Sequence, residues 1–108
     1  VRERLFPDWA MELVTPDEVG DPGNLRIALR VDGLTLQDSS TKQLIFAIDH
    51  LIAYVSGICT LKPGDILFTG TPPGVGAARK PPIYLRPGNT AEVEIERLGV
   101  LKNPIVAE

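Results

Sequence analysis

Apolar and polar residues alternate along the stretch that follows residue 24. Every second residue of 25–31 is apolar, which is the period of a half-buried β-strand. The dipeptide Asp32-Gly33 is typical of a type I′ turn, and the sequence LTLQD continues beyond it. Residues 25–38 are therefore predicted to form a β-hairpin. The preceding segment, 15–24, is rich in proline, glycine and acidic residues, which predicts a loop.

A helical period follows the hairpin. Apolar residues recur at intervals of three and four along the stretch that ends at Ile58, which predicts an amphipathic helix. Ser40 can cap its N-terminus, with Gln43 three residues later completing a capping box. A helix broken near Ala47 is the alternative, because Asp49 would also suit a first helical turn.

Short apolar segments separated by turns fill the rest of the chain. Proline and glycine predict turns at 61–65 and 86–89, and the apolar residues 66–68 predict a short buried strand. Residues 90–96 alternate between apolar and acidic, and the strand expected after them is interrupted by Pro104. The pattern as a whole predicts a β-rich α+β fold with one main helix.

Composition limits the size and class of the protein. The 108 residues allow at most one small domain, and 44% hydrophobic with 23% charged residues is ordinary for a globular chain. A net charge of −3 argues against a nucleic-acid partner, and no apolar run approaches the roughly 20 residues of a membrane span. Cys59 is the only cysteine, so no internal disulfide can form, and a cytoplasmic location is expected. Its apolar neighbour Ile58 predicts a buried side chain.

The densest cluster of glycine, proline and threonine is FTGTPPGVG, residues 68–76. Its spacing fits neither a phosphate-binding P-loop nor the G-x-G-x-x-G dinucleotide motif. Glycine permits a positive φ and a close approach of the backbone, and the hydroxyls of Thr69 and Thr71 can bond an anion or a carbonyl oxygen. From the residues alone, both a ligand-binding loop and a purely structural turn remain open.

Three further groups have two interpretations each. The carboxylates of segment 92–96 could hold a metal ion or act as acid and base, or they could be a solvated strand face. His50 could be a general base, although a lone histidine at a helix start is usually a boundary residue. The basic pair 79–80 could bind a substrate carboxylate or simply be exposed.

Long stretches of the chain resemble the C-terminal part of the fumarylacetoacetate hydrolase family. The match is carried by LKPGDILFTGTPPGVGAARKPPIYLRPGNTAEVEIERLGVLKNPIVAE (61–108) and ELVTPDEVGDPGNLRIALRVDGLTLQDSSTKQLIF (12–46). The resemblance implies that residues 1–108 are the C-terminal part of one catalytic domain, a roll of mixed strands that usually forms a homodimer. The family's metal ligands would then precede Val1, and the absence of an initiating methionine also suggests a piece of a longer protein.

The resemblance also implies a chemistry. Family members use Mg²⁺, or Mn²⁺ or Ca²⁺, to hydrolyse, decarboxylate, hydrate or isomerise 2-oxo and 1,3-dicarbonyl acids. The 2-hydroxyhepta-2,4-diene-1,7-dioate isomerases of aromatic catabolism are one example. By the same resemblance, Gly70, Thr71 and Pro72 would bind substrate, and Glu94 would align with a catalytic glutamate. No metal ligand is expected in residues 1–108.

Two functional hypotheses therefore stand after the sequence is read. The first is part of a metal-dependent enzyme that acts on a small 2-oxo acid. The second is a catalytically silent binding or structural module of the same fold. A nucleotide-binding domain is a third possibility and the least supported, because no phosphate-binding motif is present.

Overall fold

The computed structural model describes residues 3–4 and 12–107, and the side chains of residues 14–107. Its strands and α-helices are, in chain order, β1 (Glu3–Arg4), β2 (Glu12–Leu13), α1 (Pro16–Val19), β3 (Arg26–Val31), β4 (Leu34–Ser40), α2 (Ile48–Ser56), β5 (Thr90–Ile95) and β6 (Gly99–Pro104). Short 3₁₀ helices cover Pro22–Asn24, Thr41–Gln43 and Gly76–Ala78.

A four-stranded antiparallel sheet organises the described residues. Its strand order is β4-β3-β5-β6, so β3 pairs with β4 on one side and with β5 on the other. β1 and β2 form a separate two-stranded pair. The arrangement confirms the predicted β-rich α+β class with α2 as the main helix, and β6 ends at Pro104 as expected.

The predicted hairpin is confirmed, including its turn. Asp32 and Gly33 have φ angles of 49° and 82°, as a type I′ turn requires at both central positions. The Asp32 carboxylate also accepts hydrogen bonds from the backbone nitrogen of Thr90, at 2.7 Å, and from Nδ2 of Asn89, at 2.6 Å. One aspartate therefore ties the hairpin turn to the predicted turn at 86–89.

A β-bulge interrupts the hairpin after its turn. Leu29 pairs with Gln37, but the next residue of β3, Arg30, pairs with Thr35. Leu36 is thus the extra residue of β4, and its backbone lies outside the regular ladder of hydrogen bonds. The Leu36 carbonyl is therefore free to accept a hydrogen bond from elsewhere in the chain.

The predicted helix begins later in the chain than the apolar pattern that indicated it. Ser40 does cap a helix, but this is the 3₁₀ turn Thr41–Gln43, where Ser40 Oγ accepts from the Lys42 nitrogen at 3.2 Å. The backbone then becomes extended at Ala47 (φ −63°, ψ 155°), and only after it does α2 begin. The alternative of a break near Ala47 is therefore confirmed, and the capping box with Gln43 is wrong.

Three other expectations are corrected. Residues 66–68 form no strand, because no described segment pairs with them, and Phe68 is 96% exposed. Cys59 is exposed rather than buried, since it follows the last turn of α2. The predicted loop 15–24 contains a helical turn, α1, in which Pro16 provides a helical φ at the first position.

Little of the described structure is enclosed. Among residues 14–107, only Leu25 and Ala28 are buried. The apolar side chains of β3 and β5 on one sheet face are half-buried, whereas Ile45 and Phe68 are 91% and 96% exposed. No helix among the described residues is long and apolar enough to cross a membrane.

The other face of the sheet carries a ladder of opposite charges. Arg30, Glu92 and Lys102 lie side by side on β3, β5 and β6 because the strand register places them opposite one another. Arg30 contacts Glu92 at 3.4 Å and Glu94 at 2.7 Å, and Lys102 contacts Glu92 at 2.7 Å. At the far end of β3, Arg26 forms two parallel hydrogen bonds to Asp38, at 2.8 and 3.0 Å.

These contacts shift the acidity of two carboxyl groups. The ammonium of Lys102 and then the guanidinium of Arg30, both hydrogen-bonded to Glu92, lower its pKa. The hydrogen bonds from Arg26 likewise lower the pKa of Asp38. Both groups favour the folded state when ionised.

We expect the ladder to make stability sensitive to acid. A carboxyl whose pKa is lower in the folded state stabilises the fold above its unfolded pKa, and this contribution is lost as the pH falls through the folded pKa. The thermal stability of the complete gene product should therefore decrease below about pH 4. The double variant Asp38→Asn with Glu92→Gln should be less stable than wild type at neutral pH. Its melting temperature should fall less than that of wild type on acidification. Glu18→Gln, which removes a carboxylate from α1, is the control, and an equal effect of the control would contradict the ladder.

Candidate functional site

The glycine-rich segment 68–76 forms an exposed loop beside the hairpin. Gly70 and Gly74 have φ angles of 91° and 110°, a region that side chains with a Cβ rarely adopt. Thr71 lies between them and is exposed, and Pro72 is half-buried. Gly70 and Gly74 thus use the positive φ that glycine permits.

Gln37 attaches this loop to β4. Its amide nitrogen, Nε2, donates to Thr71 Oγ1 at 3.0 Å and to the Pro72 carbonyl at 2.5 Å. The two acceptors belong to two of the three residues for which substrate binding is predicted. Gln37 is separated from them by 34 and 35 positions in the sequence.

Arg79 attaches the other end of the loop. Its Nε donates to the Gly74 carbonyl at 3.0 Å, and its Nη2 donates to the carbonyl of Leu36, the bulged residue of β4. Both contacts are partly buried, whereas the neighbouring Lys80 is exposed. In this structure Arg79 fastens the loop to the sheet, so the pair 79–80 does not behave as two free surface cations.

Glycine is required at two positions by close backbone contacts. A Cβ placed on Gly74 would lie 2.5 Å from the Leu36 carbonyl oxygen, which is too close for any side chain. A Cβ on Gly76 would overlap the Ile83 carbonyl, and the backbone nitrogen of Ile83 donates to the Gly76 carbonyl at 3.0 Å. At Gly70, by contrast, the same position is open space.

The sheet separates Thr71 from the predicted catalytic glutamate. Gln37 is opposite Leu29 in the ladder, so the loop it holds lies toward the apolar face. Glu94 is opposite Ala28, and successive residues of β3 point to opposite faces. Among the described residues no hydrogen bond or ion pair joins Glu94 to the loop 68–76. The catalytic role of Glu94 stays a prediction.

The carboxylates of segment 92–96 are paired with groups of the protein itself. Glu92 and Glu94 belong to the charge ladder, and Glu96 accepts a hydrogen bond from the Arg26 backbone nitrogen at 3.0 Å. A hollow of about 290 Å³ on this face is lined by Arg26, Ala28, Glu94 and Glu96, with no residue of the loop. The solvated-face interpretation accounts for these carboxylates.

The described residues do not by themselves build a metal site. Residues 3–4 and 12–107 contain no group of three or more His, Cys, Asp or Glu side chains placed to hold an ion. His50 is exposed and its ring stacks on Phe46 with centroids 5.3 Å apart, which fits the boundary interpretation. Any metal would need ligands from outside the described part of the chain.

Comparison with known proteins identifies the family and the fold. The family model "Fumarylacetoacetate (FAA) hydrolase C-terminal" matches residues 6–106. The chain belongs to the fumarylacetoacetate hydrolase family. Members of the family are named as hydrolases, isomerases and tautomerases, so the family is one of enzymes.

One curated relative is the mitochondrial oxaloacetate tautomerase Fahd2a of Rattus norvegicus. It is 54% identical over 94 residues, which cover 87% of this chain and 30% of the relative. The chain thus spans about a third or less of the length of such relatives.

Two solved structures of fumarylacetoacetate hydrolase family members share the fold. The fumarylacetoacetate hydrolase of Exiguobacterium antarcticum is 39% identical with a TM-score of 0.84, covering 90% of this chain and 35% of its own. The maleylpyruvate hydrolase of Sphingobium sp. SYK-6, solved with manganese(II) and pyruvate, is 35% identical with a TM-score of 0.76, covering 88% and 33%. A divalent metal and a 2-oxo acid are thus found together in a protein of this family.

Sequence reasoning about this family member missed Gln37. The signal available is a polar residue opposite Leu29, on the sheet face that carries the apolar residues of β3. Its partners lie more than thirty positions away, so local pattern does not reveal them.

Two glycine substitutions should separate backbone strain from steric overlap. Gly70→Ala and Gly74→Ala both place a Cβ on a positive φ, which costs about 1–3 kcal/mol. Gly74→Ala also pushes against the Leu36 carbonyl, so we expect it to destabilise the complete gene product more. Urea unfolding of the two variants measures the difference. Equal losses of unfolding free energy in the two variants would mean that Gly74 is not in close contact with the Leu36 carbonyl.

Proposed function

We propose that this chain supplies the substrate-binding loop of a divalent-metal-dependent enzyme that acts on 2-oxo or 1,3-dicarbonyl acids. The observation that carries the proposal is the loop around Thr71, a residue that is exposed while the backbone that follows it is attached to the hairpin by Gln37 and Arg79. The Sphingobium relative, which was solved with pyruvate, supports the substrate class.

The loop is suited to a small carboxylate for a physical reason. An anion is bound by hydrogen-bond donors, and Gly70 has no side chain to keep a ligand away from the backbone. The space that a Cβ would fill at Gly70 is open. Thr71 adds a hydroxyl donor, and Pro72 stiffens the chain after it. Together these three residues would bind and orient one end of the acid.

The proposed enzyme would also bind a divalent metal ion. Mg²⁺, Mn²⁺ or Ca²⁺ would supply Lewis-acid chemistry when bound, with ligands outside residues 3–4 and 12–107. Residues 1–108 would then be the C-terminal part of a larger catalytic domain. The many exposed apolar side chains, including Ile45 and Phe68, support this, because a folded domain normally covers such a set.

The finer assignments stay proposals. Hydrolysis, decarboxylation, hydration and isomerisation share the substrate class, and the described residues do not distinguish among them. A homodimer and a cytoplasmic location remain predictions, and the rat relative is named as mitochondrial. The second candidate, a silent module of the same fold, is favoured only by the lack of a metal cluster in the described residues.

Turnover decides between the enzyme and the silent module. The complete gene product with Mn²⁺ or Mg²⁺ should convert at least one of oxaloacetate, maleylpyruvate or another acylpyruvate, followed by ultraviolet absorbance. Chelation of the metal should abolish the activity, and adding the ion back should restore it. Absence of turnover with all three substrate types and both ions would favour the silent module.

Removal of the Thr71 hydroxyl should weaken substrate binding. Thr71→Val keeps the shape of the side chain but leaves a substrate oxygen without its partner, a loss of about 1–3 kcal/mol. This corresponds to a roughly 5- to 150-fold rise in KM. Thr35→Val, on the exposed part of β4, is the matched control and should change KM little. An unchanged KM in Thr71→Val would refute the assignment of Thr71.

A further inference from the structure

The orientation of the Gln37 amide is fixed by one of its partners. The Pro72 carbonyl can only accept a hydrogen bond, so the group facing it at 2.5 Å must be the amide nitrogen rather than the amide oxygen. The same nitrogen carries a second hydrogen, which points to Thr71 Oγ1 at 3.0 Å. The carbonyl therefore settles which end of the amide meets the hydroxyl.

This orientation determines what the Thr71 hydroxyl can do. Because Oγ1 accepts the hydrogen of Gln37, its own hydrogen must be directed elsewhere. Within the described residues, its other contact is the Pro72 carbonyl at 3.5 Å, which is long for a hydrogen bond and already shared with Gln37. The hydroxyl hydrogen is thus available to a ligand.

We propose that Gln37 is a positioning residue that sets the Thr71 hydroxyl as a hydrogen-bond donor to the substrate carboxylate. This inference rests on the proposed function, because it assumes that an acid binds at Thr71. It also gives the loop a selectivity: a ligand oxygen without hydrogen, as in a carboxylate, is preferred over a group that can only donate.

The residues around Gln37 place its side chain beside the loop. The bulge at Leu36 sets the register that brings Gln37 opposite Leu29, and the side chain is half-buried there. Gly74 leaves room for it, since a Cβ on Gly74 would lie 3.2 Å from Gln37 Cγ. Arg79 holds the same glycine by its carbonyl. Gly74, held by Arg79, therefore lies close to the Gln37 side chain.

The test compares two substitutions of Gln37 with the same substitutions of Gln43. Gln37→Met removes both hydrogen bonds at similar size. Gln37→Glu goes further, since a carboxylate accepts the Thr71 hydrogen and brings negative charge toward the substrate. Gln43→Met and Gln43→Glu repeat the changes at an exposed position outside the loop.

Steady-state kinetics of the Mn²⁺-loaded complete gene product give the first measurement. We expect KM to rise roughly 5- to 150-fold in Gln37→Met, the range expected for Thr71→Val, and further in Gln37→Glu, with kcat changed much less. In a Thr71→Val background, Gln37→Met should add little. A residue that merely stabilised the fold would still weaken the enzyme in the Thr71→Val background, whereas a residue that acts through the Thr71 hydroxyl would not. If wild type is active and both Gln37 variants match the Gln43 variants, the inference is overturned.

Amide hydrogen exchange of Gly70, Thr71 and Gly74, the residues of this segment that carry a backbone N–H, gives a measurement that does not depend on activity. Exchange should be faster in Gln37→Met than in Gln43→Met, because the loop loses its attachment to β4. If wild type turns over no 2-oxo acid, the proposed function fails, and faster exchange would still support Gln37 as the residue that positions Thr71. Unchanged exchange would overturn the inference whatever the activity.

Discussion

The bulge of β4 is the constraint on which the candidate site depends. It takes Leu36 out of the ladder, and its free carbonyl receives the guanidinium of Arg79. A regular strand would have used that carbonyl for pairing with β3, and the loop would have lost one of its anchors. Gly74 packs against the same oxygen, which only a residue without a side chain can do. An irregularity of one residue thus fixes where a distant loop lies.

The central strand β3 divides the chemistry of the chain between two faces. On one face Arg30 meets Glu92 and Glu94 of β5 and Arg26 meets Asp38 of β4, so each of these carboxylates is paired with a cation of the protein. The apolar residues of β3, with Gln37 beside them, lie on the face toward the glycine-rich loop. A neutralised carboxylate surface has little attraction for a metal ion, whereas an exposed hydroxyl next to open backbone can receive an anion. The location of the candidate site follows from this division.

Local patterns predicted the local features of this fold. The Asp32-Gly33 turn and the alternation in β3 and β5 depend on neighbouring residues, and both were confirmed. The expected strand at 66–68 failed because a strand also needs a partner, which sequence period does not supply. The cap at Ser40 was placed on the wrong helix for a similar reason, since 3₁₀ and α-helices share the same start signal. The attachment by Gln37 joins residues 34 positions apart and could only come from the structure.

Among the described residues, the loop is hydrogen-bonded to Gln37, Arg79 and Ile83, and Gly74 packs against the Leu36 carbonyl. A site that is already held in its binding geometry loses less conformational entropy when the ligand arrives, so more of the interaction energy remains as affinity. In the proposed site, a carboxylate would meet a loop already attached to β4, whereas a metal would need ligands from outside the described residues.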